Sequence, residues 1–156
     1  MINLENKKKI SENWFSYLQE QICKQFEHLE SELSNKPKKF NTRIWKKNKL
    51  VEGGGTSCLL TGGKIFDKVG VNRSTVSGQF KKEFRSKILG AKKNGRYWAS
   101  GISVVAHMKN PKIPALHFNT RFIITSKEWF GGGIDATQSF IDNIEKNKFH
   151  KKLEYV

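Results

Sequence analysis

The sequence has few cysteines, few acidic residues and no long apolar run. Its two cysteines, Cys23 and Cys58, are far apart and form no CxxC pattern. This spacing argues against a zinc ribbon or a disulfide scaffold and favours a reducing compartment. No segment approaches the roughly 18 apolar residues of a membrane span, and the start, MINLENKKKISENW, lacks the apolar core of a signal peptide. Together these absences predict a soluble cytoplasmic protein without a membrane span.

Arginine is also scarce, although the chain is strongly basic. The formal net charge is +15, from 29 basic and 14 acidic residues, which indicates an anionic partner such as nucleic acid, a membrane surface or an acidic small molecule. Most of the basic residues are lysines, which are usually solvated surface groups. Arginine is more informative here because its planar fork can grip a carboxylate. The five arginines are Arg43, Arg73, Arg85, Arg96 and Arg121.

A length of 156 residues predicts one domain, residues 1–156, and 37% hydrophobic residues are enough to form its core. The pattern predicts a helix, then several antiparallel strands with short loops, then a helix, which is an α+β fold. Thr61, Gly62 and Gly63 (TGG) indicate a hairpin turn between two strands. The glycine clusters EGGG and FGGG match no nucleotide-binding loop, and the simplest interpretation is tight turns at strand ends.

Three segments have helical spacing of their apolar residues. The first segment lies near the start of the chain and has Ser11 as its expected cap. The second is the short segment QFKKEFRSKIL, and the third is SFIDNIEKNKFHKKLEYV. The expected inward residues are Ile10, Trp14, Leu18, Ile22, Phe26, Leu29 and Leu33 in the first, Phe80, Phe84 and Ile88 in the second, and Phe140, Ile144 and Phe149 in the third.

Two strands, RYWASGISVVAH and ALHFNTRFIIT, flank a proline-containing loop and should pair as a hairpin. Their apolar residues alternate with polar ones, and the apolar faces must coincide because a one-residue slip would turn one whole set over. The other face then carries Ser103, His107, His117, Asn119 and Arg121, with Gly101 leaving room above the sheet. A symmetric register places His107 opposite His117 and Ser103 opposite Arg121.

This set of side chains suits a ligand that carries carboxylates. Arg121 would clamp a carboxylate, Asn119 and Ser103 would orient it, and His117 would donate or accept a proton. An ordinary solvated face with two incidental histidines is the alternative interpretation. Asp135 would be held ionised beside such a basic site, or it would cap the last helix.

Two other functions remain open from the residues alone. His107, His117 and His150 could meet at a metal, although their spacing matches no compact zinc motif. The net charge and the aromatic residues would also suit a non-catalytic nucleic-acid-binding domain, whose binding falls steeply with salt. The lysines are scattered rather than gathered on one face, which disfavours nucleic acid as a partner.

Three segments together resemble the oxygen-dependent coproporphyrinogen III oxidase family: EGGGTSCLLTGGKIFDKVGVNRSTVSG, GISVVAHMKNPKIPALHFNTRF and WFGGGIDAT. The resemblance implies a broad antiparallel sheet flanked by helices, a homodimer, and a role in haem biosynthesis. The implied reaction converts two propionates of coproporphyrinogen III to vinyl groups, giving protoporphyrinogen IX. Molecular oxygen would be the co-substrate, with no organic cofactor and a disputed divalent metal.

The resemblance also implies roles for individual residues. Ser103 and the run Asn119, Thr120 and Arg121 fall on substrate-contact positions, and His117 falls on the proposed proton donor. Asp135 matches an aspartate that hydrogen-bonds the pyrrole N–H groups. His107, His117 and His150 fall on suggested metal-ligand positions.

Family members are much longer than this chain, so the sequence is expected to represent the N-terminal half of the domain, with the C-terminal half absent. One hypothesis is a split enzyme completed by a second polypeptide that carries the C-terminal half. The other is the inactive product of a decaying reading frame.

Overall fold

A computed structural model describes residues 3–47 and 52–154, and a long helix, α1 (Leu4–Glu32), begins the described part. Asn3 caps it, accepting a hydrogen bond from the Asn6 N–H at 2.8 Å. The prediction of Ser11 as the cap was wrong, because Ser11 lies inside the helix and its hydroxyl donates to the Lys7 carbonyl. The first turns consist mainly of Lys, Glu and Asn, so the helix starts before its apolar pattern does.

In the described ranges, six antiparallel strands follow α1 and pair strictly in the order of the sequence. This single sheet with flanking helices confirms the predicted α+β fold. The strands are β1 (Asn41–Lys46), β2 (Glu52–Thr61), β3 (Phe66–Gln79), β4 (Arg96–Met108), β5 (Ala115–Ile124) and β6 (Glu128–Thr137). The other helices are α2 (Lys82–Arg85) and α3 (Asn143–Leu153).

The core lies between α1 and one face of the sheet. It is built from alternate residues of the central strands, because successive side chains of a strand point to opposite faces. Its buried apolar residues include Phe15, Leu60, Val69, Val71, Ile102, Val104, Ala106, Phe122 and Ile124. The face of the sheet opposite α1 is called the open face below.

The helix buries a different stripe from the one predicted. Ile10, Trp14, Leu29 and Leu33 are exposed, whereas Leu18, Ile22 and Phe26 pack against the core as predicted. The helix instead buries Phe15 and three polar residues, Ser11, Gln19 and Glu30.

Two of these buried polar side chains bind the backbone of the sheet. The Gln19 amide donates to the Thr56 and Val71 carbonyls, both at 2.9 Å. Glu30, which is 0% exposed, accepts the N–H groups of three residues in the β2–β3 connection and at the start of β3: Lys64, Ile65 and Phe66. A buried carboxylate is tolerated when it is hydrogen-bonded in this way.

The connection between β2 and β3 confirms the predicted TGG hairpin. The two other glycine clusters are not turns, and that prediction was wrong, because they lie inside β2 and β6. At Gly55 a Cβ would overlap the Arg73 carbonyl oxygen and would lie 2.8 Å from the Trp45 ring. Glycine therefore allows a close backbone approach within the sheet at this position.

The two shorter helices differ from the prediction in detail. The second helix is a single turn, and Phe80 lies before it, stacked on Tyr97 at 4.4 Å between ring centroids. In α3, Phe149 is partly buried, but Ile144 is exposed. Phe140, also expected to face inward, is exposed before α3 begins, and Tyr155 and Val156 lie outside the described residues. Within the described ranges, no helix has the length and apolar composition needed to cross a membrane.

The two cysteines meet between α1 and β2. Burial, followed by the neighbouring Cys58, raises the pKa of the Cys23 thiol far above its ordinary value. Because the thiolate is the nucleophile, we expect iodoacetamide to label Cys23 much more slowly in the native chain than in the urea-unfolded chain at about pH 8. Raising the pH to about 9 should accelerate labelling of Cys23 in the unfolded chain alone, since this thiol then ionises near its ordinary pKa. Mass spectrometry measures the labelling rates. Equal labelling rates for the native and unfolded chains would contradict this prediction.

Candidate functional site

The five predicted polar residues do share the open face. Ser103 pairs with Asn119, and Arg121 pairs with Gly101. His117 pairs with Val105, and His107 lies two residues further along the same face of β4. The prediction that these side chains lie on one face is therefore confirmed.

The predicted register within that face was wrong by two residues. Ser103 lies opposite Asn119 rather than Arg121, and His117 lies opposite Val105 rather than His107. A slip of two residues leaves every side chain on its face, so the apolar pattern cannot exclude it. The rings of His107 and His117 are diagonal neighbours, 6.3 Å apart between centroids and edge-on.

Arg121 is an exposed guanidinium that one neighbour positions. Its Nη2 donates to Asn119 Oδ1, so two side chains of the same strand form one polar unit. A Cβ at Gly101 would lie 2.7 Å from the Arg121 Cβ, which explains why glycine occupies the position opposite the arginine. The remaining N–H groups of the guanidinium are left to bind a carboxylate.

His117 and Asp135 form the second unit of the site. They are paired across β5 and β6, and His117 Nδ1 lies 3.7 Å from Asp135 Oδ2, which also accepts the Thr137 hydroxyl at 2.9 Å. The separation of 3.7 Å is longer than a hydrogen bond, and the carboxylate lies beside Nδ1 rather than Nε2, so Nε2 is the ring nitrogen left for proton transfer. The alternative of Asp135 as a helix cap is wrong, because Asp142 caps α3, accepting the N–H groups of Ile144 and Glu145.

The polar set continues onto β2 and β3, which were not predicted to contribute to the site. Asn72 lies beside Ser103, Ser57 beside Asn72, and Ser74 beside Gly101. The sequence did contain a signal for this extension. Val69 and Val71 alternate with polar residues in β3, and this alternation places Asn72 and Ser74 on the face that points away from the core. A cavity of ≈ 490 Å³ spans this part of the face and is lined by Trp45, Asn72, Arg73, Ser74, Val76, Ala99, Ser100, Gly101, Ile102, Ser103, Asn119, Thr120 and Arg121.

The charge on the open face is mostly positive. Of its described strand residues with a cross-strand partner, Arg43, Lys68 and Arg121 are cationic and Asp135 is anionic, and the exposed Asp67 adds a second carboxylate at the bulge next to Lys68. This balance favours an anionic ligand, in agreement with the interpretation of the arginine.

Two predicted site residues lie apart from this set. Thr120 pairs with Ile102 and therefore has the parity of the core face, although it borders the cavity. His150 lies on α3 and lines a different cavity with Leu116 and Ala136, which also have the parity of the core face.

The histidines His107, His117 and His150 therefore do not fit a shared metal site. The first two lie on the open face, whereas His150 borders the other side of the sheet. Across residues 3–47 and 52–154, no three His, Cys, Asp or Glu side chains are grouped so that they could hold a metal ion. We assign no chemistry of the site to a metal.

Comparison with known proteins agrees with the resemblance seen in the motifs. The coproporphyrinogen III oxidase family model matches residues 10–156. The oxygen-dependent coproporphyrinogen-III oxidases of Rickettsia typhi and Rickettsia prowazekii are both 51% identical over 154 residues, which cover 96% of this chain and 53% of each relative. The Rickettsia akari enzyme of the same name is 50% identical over 153 residues, with the same coverage.

This chain spans about half the length of the curated relatives it matches. The match nevertheless runs through β1 to α3, and it includes every residue of the open face discussed above. The chain belongs to the coproporphyrinogen III oxidase family.

Proposed function

We propose that this chain forms the substrate-binding floor of an oxygen-dependent coproporphyrinogen III oxidase. The reaction is the oxidative decarboxylation of two propionates of coproporphyrinogen III to vinyl groups, giving protoporphyrinogen IX. The observation that carries the proposal is the convergence of Arg121, Asn119 and Ser103 at one cavity, next to the His117–Asp135 pair. This geometry occurs in a chain about 50% identical to proteins named for that activity.

The chemistry requires anion binding and proton delivery more than covalent help from the protein. For each propionate, a C–H bond on the carbon next to the ring and the C–C bond to the carboxylate both break, a C=C bond forms, and CO₂ leaves. Molecular oxygen takes up the two electrons, together with the released hydrogen and one further proton, and becomes hydrogen peroxide. No organic cofactor is needed for this balance, and we propose none.

Each residue of the site has a role in this scheme. Arg121 grips a propionate with two parallel N–H donors, and Asn119 and Ser103 orient it. Thr120 has the parity of the core face, so it would contribute to substrate binding through its backbone at the edge of the cavity. His117 supplies the proton through Nε2, and Asp135 accepts hydrogen bonds from pyrrole N–H groups near the centre of the macrocycle. Fixing the substrate in this way supplies orientation before oxygen reacts.

The cellular setting and the partners form part of the same proposal. The two cysteines are free thiols, which suits the cytoplasm, where haem biosynthesis would use the product. We propose a homodimer in which the remaining length of the relatives covers the open face, whether it belongs to the same polypeptide or to a second one.

A turnover assay tests this function directly. The chain is incubated with coproporphyrinogen III in air, alone and with a polypeptide comprising the part of the Rickettsia typhi relative that it does not match. Protoporphyrin fluorescence is read after chemical oxidation. We expect turnover in the mixture and none under nitrogen. Absence of turnover in the mixture, combined with absence of coproporphyrin III binding, would reject the proposal, and turnover by the chain alone would reject the need for a complementing chain.

A further inference from the structure

We propose that Asn72 binds a second carboxylate of the tetrapyrrole and that Ser57 sets the orientation of its amide. The inference rests on the proposed function, because it presupposes a ligand with several carboxylates. The family resemblance implies no role for either residue. Both lie on the open face, in β3 and β2.

Asn72 is placed at the correct distance to act separately from the arginine. It lies two strands from Asn119, with Ser103 between them. Neighbouring strands are about 4.8 Å apart and successive residues on one face about 6.7 Å, so Asn72 and Arg121 are roughly 12 Å apart at Cα. One arginine cannot reach carboxylates on opposite sides of a macrocycle, whereas two points at this separation can each hold one.

The hydrogen bond from Ser57 determines which atoms Asn72 presents. The Ser57 hydroxyl donates to Asn72 Oδ1 at 2.6 Å. With its acceptor oxygen engaged, the amide offers its two N–H groups. Its Nδ2 lies 3.6 Å from the position that a Cβ would occupy at Gly70, so these donors project over a residue without a side chain.

The surroundings of Gly70 also favour an anion. Along the open face of β3 the order of residues is Asn72, Gly70 and Lys68, so Gly70 lies between the amide and the lysine. A carboxylate above Gly70 would therefore lie between amide donors and an ammonium group. The exposed Asp67 adjoins Lys68 at the bulge that begins β3, on the side of Lys68 away from Gly70. Asp135 lies three strands from Asn72, in β6.

The test compares binding of two porphyrin probes by fluorescence titration of the full chain. Coproporphyrin III carries four free carboxylates, and its tetramethyl ester carries none; both are used in the same detergent micelles. We expect Asn72→Asp to weaken coproporphyrin III binding at least tenfold and Asn72→Ala to weaken it about tenfold. Neither should change binding of the ester by more than about twofold, since the ester offers no charge to repel or bind.

Matched variants separate this role from effects on folding or overall charge. Asn41→Asp makes the same change on the same face, two strands away and outside the cavity, and should leave binding unchanged. Ser57→Ala should weaken coproporphyrin III binding by a few-fold. Equal losses for both probes, or no loss in either Asn72 variant, would overturn the inference. If Arg121→Gln weakens binding while Asn72→Asp does not, the proposed function stands and this inference falls; if the wild-type chain binds neither probe, both fall.

Discussion

Replacing Glu30 by alanine is expected to lower the free energy of unfolding by about 3–5 kcal/mol. The carboxylate is fully buried and accepts three N–H groups, from Lys64, Ile65 and Phe66, at 2.7–2.9 Å. Alanine would leave these donors buried without partners and would disconnect α1 from the β2–β3 connection. Urea denaturation measures the effect directly, and the midpoint of thermal unfolding should fall by roughly 10 °C for a chain of this size.

Two further variants show whether the hydrogen bonds are responsible. Glu30→Gln keeps one acceptor oxygen and should lose less stability than the alanine variant. Glu32→Ala lies on the same helix, but its side chain is 58% exposed, so it should change stability by less than about 0.5 kcal/mol. If Glu30→Ala and Glu32→Ala have similar effects, the buried carboxylate does not stabilise the fold as described.

Replacing Arg121 by glutamine is expected to raise the dissociation constant for coproporphyrin III by about 10–100-fold. The change removes the exposed guanidinium that Asn119 positions beside the cavity. Arg121→Lys should recover only part of the affinity, because an ammonium group keeps the charge but lacks the planar pair of donors. Fluorescence titration at two salt concentrations measures both variants, and the salt dependence should be weaker in Arg121→Gln.

The control for Arg121 is another arginine outside the cavity. Arg96 is exposed at the beginning of β4 and has the parity of the core face. Arg96→Gln removes one positive charge and should leave the dissociation constant within about twofold of wild type. Equal losses in the two variants would indicate a general effect of net charge rather than a specific carboxylate clamp.

The sequence was sufficient to predict that the side chains of the site share one face of the sheet. It was not sufficient to predict which residues lie opposite each other on neighbouring strands. Alternation of apolar residues in β4 and β5 placed Ser103, His117 and Arg121 together, since only one relative orientation buries both apolar sets. The register depends on the geometry of the loop at residues 109–114, which the alternation does not encode. The pairing of Ser103 with Asn119 therefore required the structure.

The helix shows why hydrophobic spacing alone was misleading. Trp14 and Leu29 fit an apolar stripe but are exposed, whereas Gln19 and Glu30 are buried. A polar side chain can be buried when another element offers backbone groups to bind, and those partners belong to distant strands. Local sequence patterns contain no information about them.

The prediction that the glycine clusters form turns was wrong for a related reason. Gly55 lies in a strand because β1, β2 and β3 approach too closely there for a side chain. Glycine is common in turns, so the turn interpretation is natural when the tertiary contact is unknown. The same contact leaves the Trp45 ring lying across Gly55, at the end of the cavity opposite Arg121.

The consecutive order of the six strands has a consequence for how the chain acquires its structure. Each of the described strands pairs only with its neighbours in the sequence, so successive hairpins can form with short loop closures and a modest loss of chain entropy. The docking of α1 onto β3 and β4 is different, because it joins residues from opposite ends of a long stretch of chain. Gln19 and Glu30 acquire their partners only at that step, so the sheet can be assembled by elongation, whereas its attachment to the helix is a separate, non-local event.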